Sequence, residues 1–207
     1  MISFAHFGSA DSPRLELRPG RQRLTQHWLQ GGQLAGAGLT PEAGLELRAD
    51  GMVVFSAALR PGAQDVFQTG GKEFVSGLWN GNVVELFLGN SKTGRYLEVH
   101  LAPSGKWWSC VFTSVRVREF EEGRPLPLSV IHHRRDKHGR RWEASVQVPS
   151  VVLGKLLGVR DFMELRANLA AIVHPVTGTS LYFSRAALPG AKPDFHQPAA
   201  WLEMTRT

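Results

Sequence analysis

Between residues 44 and 148 the chain repeats one pattern: a short run of alternating apolar and polar residues, then a turn. "GLELRAD" (44–50) places Leu45 and Leu47 on one face, and "MVVFSAALR" (52–60) does the same with Val53, Phe55, Ala57 and Leu59. Alternation with a period of two marks a strand with one buried face. The Asp50-Gly51 step between the runs signals a hairpin. "NVVELFLG" (82–89), "GRYLEVHLA" (94–102) and "KWWSCVFTS" (106–114) continue as a meander through the turn-like "NSKTG" and "PSG". "LSVIHHRR" and "RRWEASVQV" make a further hairpin around "DKHG".

"TSLYFSR" (179–185) reads as a later strand, whereas "ELRANLAAIV" (164–173) satisfies a strand or a helix, because alanine and leucine favour the latter. The one good helix candidate is "PSVVLGKLLG" (149–158), with Pro149 or Ser150 to start it and Gly158 to stop it. Many short strands and few helices predict an all-β fold. It is expected to be an antiparallel two-sheet β-sandwich, jelly-roll or immunoglobulin-like, with at most one or two short helices. Segments 60–78 and 185–200 are long glycine- or proline-bearing loops, the kind that carry function in a compact β domain.

A chain of 207 residues suits one domain, 1–207, and a hydrophobic share of 43% is enough for a proper core. No apolar run reaches the ~20 residues of a membrane helix, and the start, "MISFAHFGSADSPRLEL", does not read as a signal peptide. Cys110 is the sole cysteine, so no intrachain disulfide can form. Together these features lead us to expect a cytoplasmic protein without membrane contact. The net charge of +6 is mild, and its one dense cluster, "HHRRDKHGRR" (132–141), has no interleaved aromatic for base stacking. We therefore expect a solvated hairpin tip and no nucleic-acid partner.

Catalytic and metal signatures are absent. His132 and His133 are adjacent on a strand and point to opposite faces, and there is neither CxxC nor HExxH, so no metal is expected. "GGQLAGAG" (31–38) and "QTGGKEF" (68–74) fail the dinucleotide and phosphate-loop patterns. No G-x-S-x-G elbow is present. Glu85, Glu98 and Asp194 are carboxylates from which a glycosidase pair could be drawn, although spacing alone selects no pair. Haem would need axial ligands, for which Met163 and His174 are poor candidates. The expectation is a non-enzyme with no cofactor.

Two stretches then stand out. In "SGLWNGNVVELFLGN" (76–90) a carboxylate, Glu85, interrupts an apolar strand, and Trp79 stands in the Gly/Asn-rich loop at its entrance. Glu85 alternates with Val84, Leu86 and Leu88, so it faces away from the core side, as a ligand-facing acceptor rather than a buried charge. In "PGAKPDFHQPAAW" (189–201) two prolines stiffen a loop that presents Phe195, His196 and Gln197. Aromatic rings beside planar polar groups suit a sugar, whose ring faces are apolar and whose edges carry hydroxyls.

The series "LWNGNVVELFLGN…GRYLEVHLAPSGKWW…RRWEASVQVP…KPDFHQPAAWLEM" resembles carbohydrate-binding module family 9 within the DOMON-like β-sandwiches, especially its short stand-alone bacterial members. The likeness covers most of residues 45–205. It implies a small saccharide, or a saccharide end, held between the rings of Trp79 and Phe195. Glu85 would hydrogen-bond hydroxyls, and Glu98 stands where sugar-binding members have an arginine. Lys192, His196 and Gln197 would form the rim. The alternatives are an interaction or non-sugar ligand module of the same fold and, further off, a sugar-active enzyme using Glu85 and a second carboxylate. Oligomeric state is left open.

Overall fold

The computed structural model describes residues 14–17, 22–23, 25–28, 41–59, 72–135, 141–174, 180–186, 188–190 and 193–206. Their strands are β1 (Arg14–Leu17), β2 (Gln22–Arg23), β3 (Thr25–Trp28), β4 (Glu42–Leu47), β5 (Met52–Leu59), β6 (Val83–Asn90) and β7 (Tyr96–Leu101). Next come β8 (Trp107–Ser114), β9 (Val117–Arg118), β10 (Val130–Arg135), β11 (Trp142–Pro149), β12 (Leu165–Val173), β13 (Leu181–Ser184) and β14 (Leu202–Arg206). Among the described residues there is one α-helix, α1 (Ser150–Leu157), between β11 and β12. No helix among the described residues is long and apolar enough to cross a membrane.

The strands form two sheets, as the alternation predicts. The larger runs β1-β14-β12-β6-β7-β8-β9, with β13 pairing to β12 and β3; the smaller runs β10-β11-β5-β4-β2. The Asp-Gly hairpin pairs β4 with β5 in register, Leu45 opposite Phe55, and β6, β7 and β8 pair consecutively as a meander. Among the described strands pairing is antiparallel except that β1 lies parallel to β14, and an isolated bridge from Phe74 to Trp107 is also parallel. A parallel pair of strands needs a long crossover, and between β1 and β14 the crossover is nearly the whole chain. "RANLAAIV" resolves as a strand because β6, β13 and β14 all bond to β12, which overrides its mild helix propensity.

Between the sheets, Leu86, Leu97 and Val99 meet Val53, Phe55, Val146 and Val148, with Leu153 of α1 and Leu126 closing the edge. The helix ends at Gly158, whose φ of 69° lies in the left-handed region that glycine tolerates. On β11 buried and half-buried residues alternate, whereas every residue of β6 is buried. Such a continuous run means that both faces of β6 are covered. The core covers Val84, Leu86 and Leu88; the segments around Trp79 and Phe195 cover Glu85 and Phe87.

Candidate functional site

The second covering layer encloses a cavity of about 390 Å³ on the outer face of the larger sheet. Its floor is Glu85 and Phe87 of β6, Glu98 of β7 and Phe112 of β8. Trp79, Ile172 and Tyr182 add walls, and Arg116, Arg118 and residues 193–196 form the remainder.

Trp79 sits in a 3-10 turn, Leu78–Asn80, entered through Gly77 at φ 82°. This turn lays the half-buried indole on the sheet, edge-on to His100 at 6.0 Å and to Trp108 at 5.9 Å between ring centres. Trp79 therefore packs on the larger sheet as well as lining the cavity, which its place in a Gly/Asn-rich loop does not suggest. Arg118 lies 5.4 Å from the centre of the Trp79 ring and 5.3 Å from that of Trp108. Its guanidinium donates to the Glu121 carbonyl at 2.7 Å, which holds the cation against both indoles.

The loop opposite is tied to itself. Asp194 Oδ1 accepts from the His196 backbone N–H at 2.9 Å and from Arg116 Nη2 at 2.8 Å. Trp201 Nε1 donates to the Phe195 carbonyl at 3.0 Å. Phe195 is only 7% exposed and packs against Phe87 and Tyr182. It is a ring at the cavity wall rather than one presented to solvent, since Phe87 and Tyr182 enclose it. His196 Nδ1 is 2.7 Å from the Tyr96 hydroxyl, which accepts from the Arg116 N–H at 3.0 Å and so has its own proton for the imidazole. Gln197 is not a cavity residue; its amide donates to the carbonyls of Pro189 and Asp194 and braces the loop. Lys192 lies outside the described residues.

The floor carries the chemistry. In the β6–β7 register Glu85 lies opposite His100, and Glu98 is two residues before His100 on the same face. His100 Nε2 is 2.6 Å from Glu98 Oε1 and 3.2 Å from Glu85 Oε1. Exposure is 2% for Glu85, 5% for Glu98 and nil for His100. Glu85 thus faces the cavity, as alternation predicts, but it is a buried group and not a solvated acceptor, because Trp79 and residues 193–196 close over it. Desolvation raises its pKa to about 7, against the lowering effect of His100 and with a further push from Glu98. For Glu98 burial also raises the pKa, yet the charge and hydrogen bond of His100, with His196 and Arg118, outweigh it and the net shift is downward. For His100 burial lowers the pKa, but the two carboxylates prevail and raise it. Burial lowers that of His196.

Of the seven residues expected at the site, Trp79, Glu85, Glu98, Phe195 and His196 line one cavity. Sequence reasoning missed His100, Arg116 and Arg118. His100 was within reach, since it shares the alternation of Glu98. The arginines come from the short β9 and the turn before it, which carry no strand pattern. Arg116 itself has φ 61°, a left-handed conformation uncommon outside glycine.

No protein-family model and no curated protein matches the chain. Among solved structures, the fold is similar to that of a "putative carbohydrate-binding protein" from Bacteroides uniformis. That match has a TM-score of 0.61 and 15% identity, and covers 91% of this chain and 86% of that one. At that identity the likeness shows the all-β sandwich and nothing finer.

Proposed function

We propose that the protein is a non-catalytic sandwich that binds a small saccharide, or the end of one, in the cavity between Trp79 and Phe195. The observation that carries this reading is their presence in one 390 Å³ cavity whose floor holds two carboxylates. Ring faces remove apolar C–H surface from water, and buried carboxylates accept hydroxyl bonds that are worth roughly 1.5–3 kcal/mol each when charged. A cavity of this volume falls within the ~300–1,000 Å³ typical of small-molecule sites. The resemblance to carbohydrate-binding module family 9 and the description of the Bacteroides uniformis protein support the same ligand class.

A glycan array read beside a thermal-shift screen of mono- and disaccharides tests the proposal. A true ligand stabilises the fold by RT ln(1 + [L]/Kd), about 2.7 kcal/mol at one hundred times Kd. Hits should be lost in Glu85→Gln. No hit from either screen, or hits that persist in Glu85→Gln, would count against it. The enzyme reading draws on one observation, a buried glutamate whose pKa of about 7 suits a general acid. Turnover of aryl-glycosides that disappears in Glu85→Gln would establish it in place of simple binding.

A further inference from the structure

We propose that Glu85, Glu98 and His100 form a site for a borderline divalent transition ion of the zinc class, at the floor of the cavity. One ligand atom from each residue comes to within 4.8 Å of the other two, and all three residues are buried. The imidazole turns Nε2 toward both carboxylates. Trp79 and Trp108 fix its ring by packing, since Nδ1 has no hydrogen-bond partner among the described residues.

An independent feature is Glu85 itself. Its carboxylate is 2% exposed, opens on the cavity and makes no hydrogen bond among the described residues; its polar approach is the 3.2 Å to His100. Two carboxylates and one imidazole held together away from water are stable only if their charges are balanced within the set. A divalent ion with two carboxylates and a neutral imidazole makes the set neutral.

The distances fit. Zinc–ligand bonds of about 2.0–2.2 Å in tetrahedral geometry place ligand atoms ~3.3 Å apart. The Glu85–His100 separation of 3.2 Å already matches; the Glu98–His100 separation of 2.6 Å must open by a side-chain rotation. An imidazole nitrogen with two carboxylates suits zinc, cobalt or nickel. Calcium needs about six to eight oxygens, more than two carboxylates provide. Three protein ligands beside an open cavity leave a coordination position for the cavity's occupant, which is the arrangement of sites that act on or bind a ligand rather than purely structural ones. The site stands whether or not that occupant is a saccharide.

The test uses the full chain, stripped with chelator and dialysed, then titrated calorimetrically with zinc and followed by visible absorption with cobalt, without any saccharide. One ion per chain is expected, with the intense cobalt absorption of a tetrahedral site. Glu98→Gln and His100→Gln should weaken zinc binding by more than about tenfold. Glu85→Gln, isosteric and free of new clashes, should do the same while keeping the wild-type circular dichroism. His132→Gln together with His133→Gln should leave affinity unchanged. Absence of stoichiometric zinc uptake, or binding that survives Glu85→Gln, overturns the site, as would calcium binding as tightly as zinc. Because no saccharide is present, such a failure is distinct from failure of the sugar reading, which the glycan screen decides with chelator-treated protein.

Discussion

At the scale of single residues, Trp79 has two roles that a mutation will not separate cleanly. As one wall of the cavity it should contribute to binding, and Trp79→Ala is expected to weaken the best screened ligand by roughly tenfold or more. From the sequence alone, the melting temperature would be left almost unchanged. The structure revises that: the indole packs on His100 and Trp108 under Arg118, so a loss of about 1–3 kcal/mol is expected as well. Calorimetry and thermal melts on the same sample measure both, and an unchanged affinity would remove Trp79 from the site. His133 tells a similar story of burial. It is half-buried beside Trp142, neither nitrogen has a partner among the described residues, and desolvation lowers its pKa from 6.5 to about 4. It is therefore not part of a solvated tip, and residues 136–140 lie outside those described. Because the unfolded chain takes up this proton first, the linked stability is present above pH 6.5 and is lost as pH falls toward about 4. His133→Phe should abolish that acid slope, about 1–2 kcal/mol once solvent screening of the half-buried ring is allowed for, and match or exceed wild type at pH 7, since an apolar ring replaces nitrogens that lack partners among the described residues. Urea titrations across this pH range give the answer, and parallel slopes in the two proteins would refute it. The orientation of Glu85 was legible because a period of two is a local property; its burial was not, because the covering residues lie far away in sequence.

At the scale of elements, alternation was enough to place β4 through β8, β10 and β11, where one face or both meets the core. It failed for β1 to β3, which are short, and for β9, which has two residues. β9 pairs through its backbone without an apolar pattern, whereas β1 has one in Leu15 and Leu17 that is only four residues long. The ambiguity of β12 is not resolved locally either, since only its three neighbours decide it. The tight end of β6 shows how such partners are fitted together. Asn90 donates to the carbonyl of Leu157 at 3.0 Å and so ties the strand to the end of α1. One residue earlier, Gly89 leaves room for the buried Trp201: a Cβ there would lie 2.7 Å from the indole Cζ3 and 3.1 Å from Tyr96 Cβ. Gly89→Ala must displace Trp201, whose N–H holds the Phe195 carbonyl. We expect about 1–3 kcal/mol of destabilisation by overpacking, seen as a melting point several degrees lower, together with weaker ligand binding because the Phe195 loop shifts. A Gly89→Ala protein with wild-type melting would show that the indole moves freely.

At the scale of the whole molecule, the first and last described strands close the larger sheet side by side. Arg14 to Leu17 pair in parallel with Glu203 to Arg206, and Leu15 is fully buried. This contact was not read from the sequence: "RLEL" (14–17) alternates over only four residues, and nothing local names the last strand as its partner. The cavity, by contrast, is built on β6, β7 and β8, with β12 and β14 between them and β1. Stability and ligand recognition should therefore separate along the sheet. Leu15→Ala removes a buried side chain from the far edge and should cost about 2–5 kcal/mol. Its effect on native-state hydrogen exchange should be greatest in β14, which loses its outer partner, and smallest in β6 and β7, which open only with global unfolding. Affinity for a screened ligand, measured well below the lowered melting point, should stay within about twofold of wild type, as expected for sites that share no partners. Exchange that accelerates equally in β14 and in β7 after subtraction of the global term, or a ligand affinity that falls with the Leu15 side chain, would mean that the two ends of this sheet respond as a single unit.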